Sequence, residues 1–362
     1  MEDYVRKRIT SIDALRAITL LGIIIVHTKE GFGFLIDGDK NTIDNIIRVF
    51  IDLFLKHKCN TIFSILFGVS FYLILRNPSY TSSKFAWRCV LLIGIGLVNK
   101  VFYTYDALMW YGMCGICLVP IRHWKTNNIF CLFLLLWMIK PLLSQYSFGD
   151  YLFGIGTNHR YTDYFNNPVA YYFYPYAAVD YLRIVLNGSV VGTYSWFVLG
   201  YGMSRAGIIE NLEKNVTIQT LSIFWFLYIL SFMGVHFHVF DHKLLIKYTT
   251  SIQILAATIA YASTLIYLYN CSLFHKALSF LESYGKLGLT NYSMQGVIGV
   301  LLIADFGFGM RHFHFSIILI TFIIFYIIQA IFSHFWIKKY RYGPMEYLWR
   351  VATERKYIPL KR

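Results

Sequence analysis

Apolar runs of about 20 residues recur along this chain, and about that many are needed for one helix to cross the hydrocarbon core of a bilayer. Ten can be placed, near residues 12–32, 59–76, 87–104, 106–121, 128–144, 184–204, 217–237, 248–269, 287–306 and 315–337. The chain has 362 residues, 57% of them hydrophobic and 14% charged, a balance outside that of soluble domains. The predicted fold class is therefore all-α: a polytopic transmembrane helix bundle of about ten spans, forming one domain over 1–362. The lipid bilayer is its first partner, and self-association is left open.

Basic residues set the orientation. If the spans alternate, Arg6, Lys7, Arg8, Arg76, Lys84, Arg122, Lys125, Arg205, Lys214, Lys276, Lys286 and the basic tail 338–362 share one side, which the positive-inside rule makes cytoplasmic. Both termini are then expected inside. The formal charge of +14 is spent on these loops. No basic stripe is interleaved with stacking aromatics, so no nucleic-acid partner is expected. The first span starts close to the beginning, lacks a small-residue cleavage site and contains Arg16, so it reads as a retained span and not a signal peptide. Residues 45–58 place Ile46, Val49, Phe50 and Leu53 on one face and Arg48, Asp52 and Lys56 on another, as in a helix lying on the outer surface. Residues 145–182 form the longest outer loop, rich in Tyr, Phe and Asn. These aromatics suit an interface belt or stacking against sugar rings.

The first span holds Asp13, Arg16 and His27 in otherwise apolar sequence. The eleven residues from Arg16 to His27 amount to about three helical turns and a rise of about 16 Å, so both side chains share a face at two depths. Asp13 joins that face one turn earlier. Ionisable groups facing lipid are costly, so this stripe is predicted to face the bundle interior or a water-filled cavity. Each residue also has a plainer reading. Asp13 completes a Thr10-Ser-Ile-Asp13 capping box, Arg16 lies near enough to the inner surface to snorkel, and His27 can be hydrogen-bonded within the bundle. The third span repeats the spacing with Arg88 and Asn99.

Arg16 and Arg88 form a candidate cationic patch at the inner mouth, while positive-inside placement also accounts for Arg88. At the outer end His27 is predicted to share a level with Lys58 and Asp106. A histidine oriented by a carboxylate is a general-base arrangement, and an Asp that opens a helix is equally a cap. In the ninth span Asn291 and Gln295 lie one turn apart, positioned either for interhelical hydrogen bonds or, with Tyr111, to line a substrate tunnel.

Five blocks carry a resemblance: Ile12-Asp-Ala-Leu-Arg16, Phe63-Ser-Ile-Leu-Phe-Gly68, Tyr105-Asp-Ala-Leu-Met-Trp-Tyr-Gly112, Gly285-Lys-Leu-Gly-Leu-Thr-Asn-Tyr-Ser-Met-Gln295 and Tyr342-Gly-Pro-Met-Glu-Tyr-Leu-Trp-Arg350. In this order they resemble the YeiB family of bacterial inner-membrane proteins. The Arg, ten residues, His arrangement of the first span is similar to the signature of the acyltransferase-3 type of membrane acyltransferases. His27 stands where YeiB-like proteins often carry Asn, and Asn99 where they often carry His. The resemblance implies a multi-pass protein of the bacterial cytoplasmic membrane that moves an acyl group, most plausibly acetyl, from cytosolic acyl-CoA to a carbohydrate or lipid-linked acceptor. His27 would then be the base, with Asp106, Lys58 and Asn99 around the reacting carbonyl. Arg16, Arg88 and Asp13 would form the donor site. The alternative is a transporter of a small anionic or amphipathic metabolite, although no pair of Gly/Pro-broken spans recurs in matching halves.

Other chemistries are weaker. The six cysteines fall mostly within spans, and Cys114-Gly-Ile-Cys117 reads as packing. The pairs His236/His238 and His312/His314 flank helices at the surface, and no metal is expected. No Gly-x-Ser-x-Gly elbow supports a hydrolase.

Overall fold

The computed structural model describes residues 9–362 apart from 31, 33–35, 37–40, 78, 79, 104, 105, 148–151, 153–181, 238 and 240. The described residues form an all-α bundle whose only extended pairing is a bridge between Tyr340 and Lys361. In chain order the longer helices among the described residues are α1 (Thr10–Glu30), α2 (Thr42–Phe50), α3 (Lys58–Leu75), α4 (Ser82–Phe102), α5 (Leu108–Leu118), α6 (Thr126–Tyr146), α7 (Ser189–Arg205), α8 (Ile218–His236), α9 (Lys243–Asn270), α10 (Ser272–Lys286), α11 (Gly288–Ile303), α12 (Phe315–Lys339) and α13 (Pro344–Glu354). Each of the ten predicted runs lies on one of them. Among the described residues seven stretches are long and apolar enough to cross a membrane: α1, α2 with α3, α4, α6, α8, α9 and α12.

The differences from expectation have local causes. The apolar run at 106–121 yields a helix of only 11 residues, because Pro120 opens a tighter turn over Pro120–His123. At 1.5 Å per residue α5 covers about 16 Å, half of a hydrocarbon core. The helix of the sixth run begins at Ser189, after Gly188 in the left-handed region (φ +83°). α10 was not expected at all, since His275, Lys276, Glu282 and Lys286 interrupt its apolar residues.

α1 is the centre of the bundle. Thirteen of its 21 residues are buried, and it packs against α3, α9, α10, α11 and α12. α8 is its opposite: Tyr228 and Ser231 are buried, while Ile223, Phe226, Ile229 and Leu230 face outward. Apolar side chains outside and buried polar ones such as Asn99, Gln253, Asn291, Gln295 and Gln329 inside suit a bundle surrounded by lipid. Close helix approach rests on glycine. A Cβ at Gly68 would overlap the Phe197 carbonyl, and one at Gly200 the Ile65 carbonyl, so α3 and α7 meet backbone to backbone.

Basic loop residues meet at one end of the bundle. Arg76 pairs with Glu210, and Arg122 donates to the Leu75 carbonyl (2.7 Å) and Ser82 Oγ (3.2 Å). Arg205 donates to the Arg122 carbonyl (2.6 Å) and Lys84 pairs with Glu354. At the other end α2 continues through a wide turn, Ile51–Leu55, closed by Lys56 N–H on the Ile51 carbonyl (2.9 Å). Ile43, Ile46, Val49 and Phe50 are exposed there, and Leu53 is half-buried. Buried Asp44 accepts from the N–H groups of Phe315 (3.2 Å) and Ser316 (2.9 Å), fastening α2 to the start of α12. Most of the loop 145–182 lies outside the described residues.

Candidate functional site

Two cavities lie in series along the polar face of α1. The outer one, about 330 Å³, is lined by His27, His57, Trp110, Tyr111, Lys140 and Tyr292 among others. α1 carries His27, whose ring centroid lies 4.6 Å from that of Tyr103 and 6.2 Å from that of Tyr292. His57 precedes α3 with φ +65°, a left-handed conformation that non-glycine residues rarely adopt. Lys140 comes from α6, beside Pro141, and the absence of a side chain at Gly192 on α7 makes room for its stem. Ser64 Oγ donates to Tyr111 Oη (3.2 Å) and also lines the cavity.

The inner cavity, about 180 Å³, is lined by Arg16, Ser70, Arg88, Lys286, Glu346 and Trp349 with surrounding apolar residues. Arg16 donates to Asp13 Oδ1 (3.0 Å), Ser70 Oγ (3.2 Å) and the Gly285 carbonyl (3.3 Å), so it joins α1, α3 and α10. Arg88 lies 3.7 Å over the Trp349 ring, and the Trp349 indole N–H donates to the Arg88 carbonyl (2.8 Å). Lys286 pairs with Glu282 (3.0 Å). Glu346 of α13 caps α11, accepting from the N–H groups of Leu289 (2.7 Å) and Thr290 (3.0 Å) and from Thr290 Oγ1 (2.5 Å). Burial pushes its carboxyl above the ordinary glutamate value, against the opposing pull of those hydrogen bonds.

Tyr292 lines both cavities. Its hydroxyl accepts from the Ala107 N–H (3.1 Å), and its ring stacks on Phe63 at 6.2 Å. These rings form the partition between the two spaces.

Several predicted site residues lie elsewhere. Lys58 is buried and donates to the Leu53 carbonyl (2.8 Å), closing the wide turn, and it does not line the His27 cavity. Asp106 makes no hydrogen bond to His27. It accepts from Asn99 Nδ2 (2.7 Å) and the Leu108 N–H (2.9 Å), so it caps α5 and fixes Asn99. Among the described residues no carboxylate orients His27, which corrects the expected His–Asp pair. Asn291 donates to the Tyr284 carbonyl (3.0 Å) and Ser333 Oγ (3.1 Å), and Gln295 to Tyr284 Oη (2.9 Å). Both therefore stitch α10, α11 and α12 together and line neither cavity, whereas Tyr111 lines the outer one. Asp13 serves as the partner of Arg16.

Sequence reasoning missed His57, Lys140 and Tyr292. Lys140 had a usable signal, being the one charged residue of its apolar run 128–144. The expected surface histidines are dispersed: His236 stacks on Phe232 at 4.0 Å, His312 lies 3.3 Å from Asp305 and His314 3.7 Å from Asp44. His238 lies outside the described residues.

Comparison with known proteins agrees with the motif reading at the family level. The chain is 26% identical to an uncharacterized 39.9 kDa protein in the amylase 3′ region of Bacillus acidopullulyticus, an alignment covering 98% of this chain and 96% of the relative. It is 22% identical to the uncharacterized protein YxaH of Bacillus subtilis (strain 168), with the same shares of each chain covered. No solved structure matches. Residues 204–356, which contain the blocks Gly285–Gln295 and Tyr342–Arg350, match the model of a protein family of unknown function, DUF418, which is the YeiB family.

Proposed function

We propose that the chain is a membrane acyltransferase that takes an acyl group, most plausibly acetyl, from cytosolic acyl-CoA and passes it to a hydroxyl or amine of a carbohydrate or lipid-linked acceptor. One observation carries this reading: a cation-lined cavity and a histidine-lined cavity stand in series, with Tyr292 between them. Arg16, Arg88 and Lys286 suit the phosphates of the donor. His27 takes the proton from the attacking acceptor as its oxygen or nitrogen bonds to the acyl carbon. The carbon–sulfur bond then breaks, and the departing thiolate receives that proton. The thioester arm has to pass Tyr292 to reach His27. On this reading the protein is a multi-pass protein of the bacterial cytoplasmic membrane with both termini inside.

The same serial cavities also suit a transporter of a small anionic metabolite, which would move substrate without consuming thioester. Binding of acetyl-CoA to detergent-purified protein, measured by calorimetry, separates the two. Saturable binding is expected, weakened about tenfold by Arg88→Gln and largely spared by His27→Ala. No binding to a folded preparation removes the acyltransferase reading and favours transport.

A further inference from the structure

The acyl-transfer reading places the acceptor in the outer cavity, and the next inference rests on that placement: we infer that the outer cavity recognises an anionic oxygen group, a phosphate ester carried on a sugar-sized polar body. Lys140 lines this cavity and, among the described residues, its ammonium has no hydrogen-bond or ion-pair partner. A charge at such a depth is costly without water or a counter-charge. No carboxylate belongs to the described lining. The neighbouring acids are engaged elsewhere, Asp106 with Asn99 and the start of α5, and Glu30 with Lys56. His57 and His27 add two imidazoles to the same wall.

Two further features have the same sign. α3 and α7, of 18 and 17 residues, both begin at this cavity, contributing Asn60 and Thr61 from one first turn and Ser189 and Gly192 from the other. The positive ends of both helices thus lie against the space that Lys140 borders. The body of the ligand is indicated by the rest of the lining, where Trp110, Trp137 and Trp196 stand beside hydroxyl-bearing side chains. A volume of about 330 Å³ lies at the small end of ligand pockets, roughly 300–1,000 Å³, and admits one sugar phosphate but not a polymer.

The three indoles also supply the readout. Tryptophan fluorescence of the full-length protein in uncharged detergent would be titrated with glucose 1-phosphate, with glucose and with dihexanoyl phosphatidylglycerol. Glucose 1-phosphate should give a saturable change with a midpoint at least tenfold below that of glucose. Lys140→Gln should remove most of that difference, Lys140→Arg should retain it, and both variants should bind acetyl-CoA as the wild type does. A lower Lys140-dependent midpoint for the lipid assigns the phosphate to a lipid headgroup, and the reverse order to a free sugar phosphate. Equal midpoints for glucose and glucose 1-phosphate, no saturable response to either phosphate, or an unchanged response in folded Lys140→Gln would each overturn the inference. A Lys140-dependent phosphate response in a protein that does not bind acetyl-CoA leaves the anion site standing and removes acyl transfer.

Discussion

Arg16 and Lys140 are both cations at membrane depth, yet they stand in different situations. Among the described residues Arg16 donates to Asp13, Ser70 and the Gly285 carbonyl on three elements, and Asp13, which pairs with it, is almost fully buried. Arg16→Ala would take from the buried Asp13 carboxylate its Arg16 partner, and breaking a buried pair costs about 3–5 kcal/mol. We expect a large fall in the thermal midpoint of Arg16→Ala in detergent. The Asp13→Ala/Arg16→Ala double variant should recover about 1–3 kcal/mol of the loss, as expected for residues in direct contact. Strictly additive losses would show that the two do not act as a pair. The stripe itself was legible, since helical spacing alone puts Asp13, Arg16 and His27 on one inward face. What each residue touches was not, because Ser70 and Gly285 are remote in sequence. Lys58 was misread for a related reason: its rotation about α3 is set by the wide turn ahead of it, which apolar patterning does not reveal.

At the scale of elements, α13 acts as a clamp on the start of α11. The Glu346 carboxylate satisfies two backbone N–H groups that α11 cannot satisfy itself, and Arg88 with Trp349 fixes α13 against α4. Glu346→Ala is expected to destabilise the protein by about 1.5–3 kcal/mol, the range for hydrogen bonds to a charged group. Its pH dependence has a definite sign. Burial raises the Glu346 pKa in the folded protein, so between the unfolded and folded values the native state holds more protons. Stability from this group is therefore greater on the acid side and declines as pH rises through the folded pKa. Glu354 acts oppositely: its hydrogen bond with Lys84 lowers its pKa, and its contribution is present above the unfolded value and lost as pH falls through the folded one. Hydrogen exchange across α13, corrected for intrinsic rates, should accelerate as pH rises above the ordinary glutamate range in the wild type and show a flatter profile in Glu346→Gln. An identical slope in both proteins would remove Glu346 as the origin. Hydropathy made ten helices legible, but it overran α5 because apolar residues continue past the point where Pro120 ends the helix. It passed over α10 because that helix is too polar to resemble a span.

For the whole molecule the decisive feature is that two cavities are separated by a thin wall of rings. Hydropathy could not reveal this, because Tyr292 and Phe63 look in sequence like any aromatic residue of a span, and only their ring contact between α11 and α3 makes them a partition. If Tyr292 is the partition, Ser64→Cys should report on it. That side chain lines the outer cavity beside Tyr111. Exposed Cys117 and Cys131 and half-buried Cys271 would first be replaced by Ser, while Cys59, Cys89 and Cys114 are buried within the bundle. In sealed vesicles of known orientation, a small membrane-impermeant thiosulfonate should modify Ser64→Cys from the outer side only. Adding Tyr292→Ala should open the same thiol to reagent supplied from the inner side, joining the two spaces. Inner-side modification with Tyr292 intact would mean that the cavities are already continuous. Continued protection after Tyr292→Ala, in protein that still reacts from outside, would transfer the barrier to Phe63 and its neighbours. A removable wall of rings between a cationic vestibule and a histidine is what the proposed passage of a thioester arm would need, so this measurement bears on the acyl-transfer reading before any acceptor is identified.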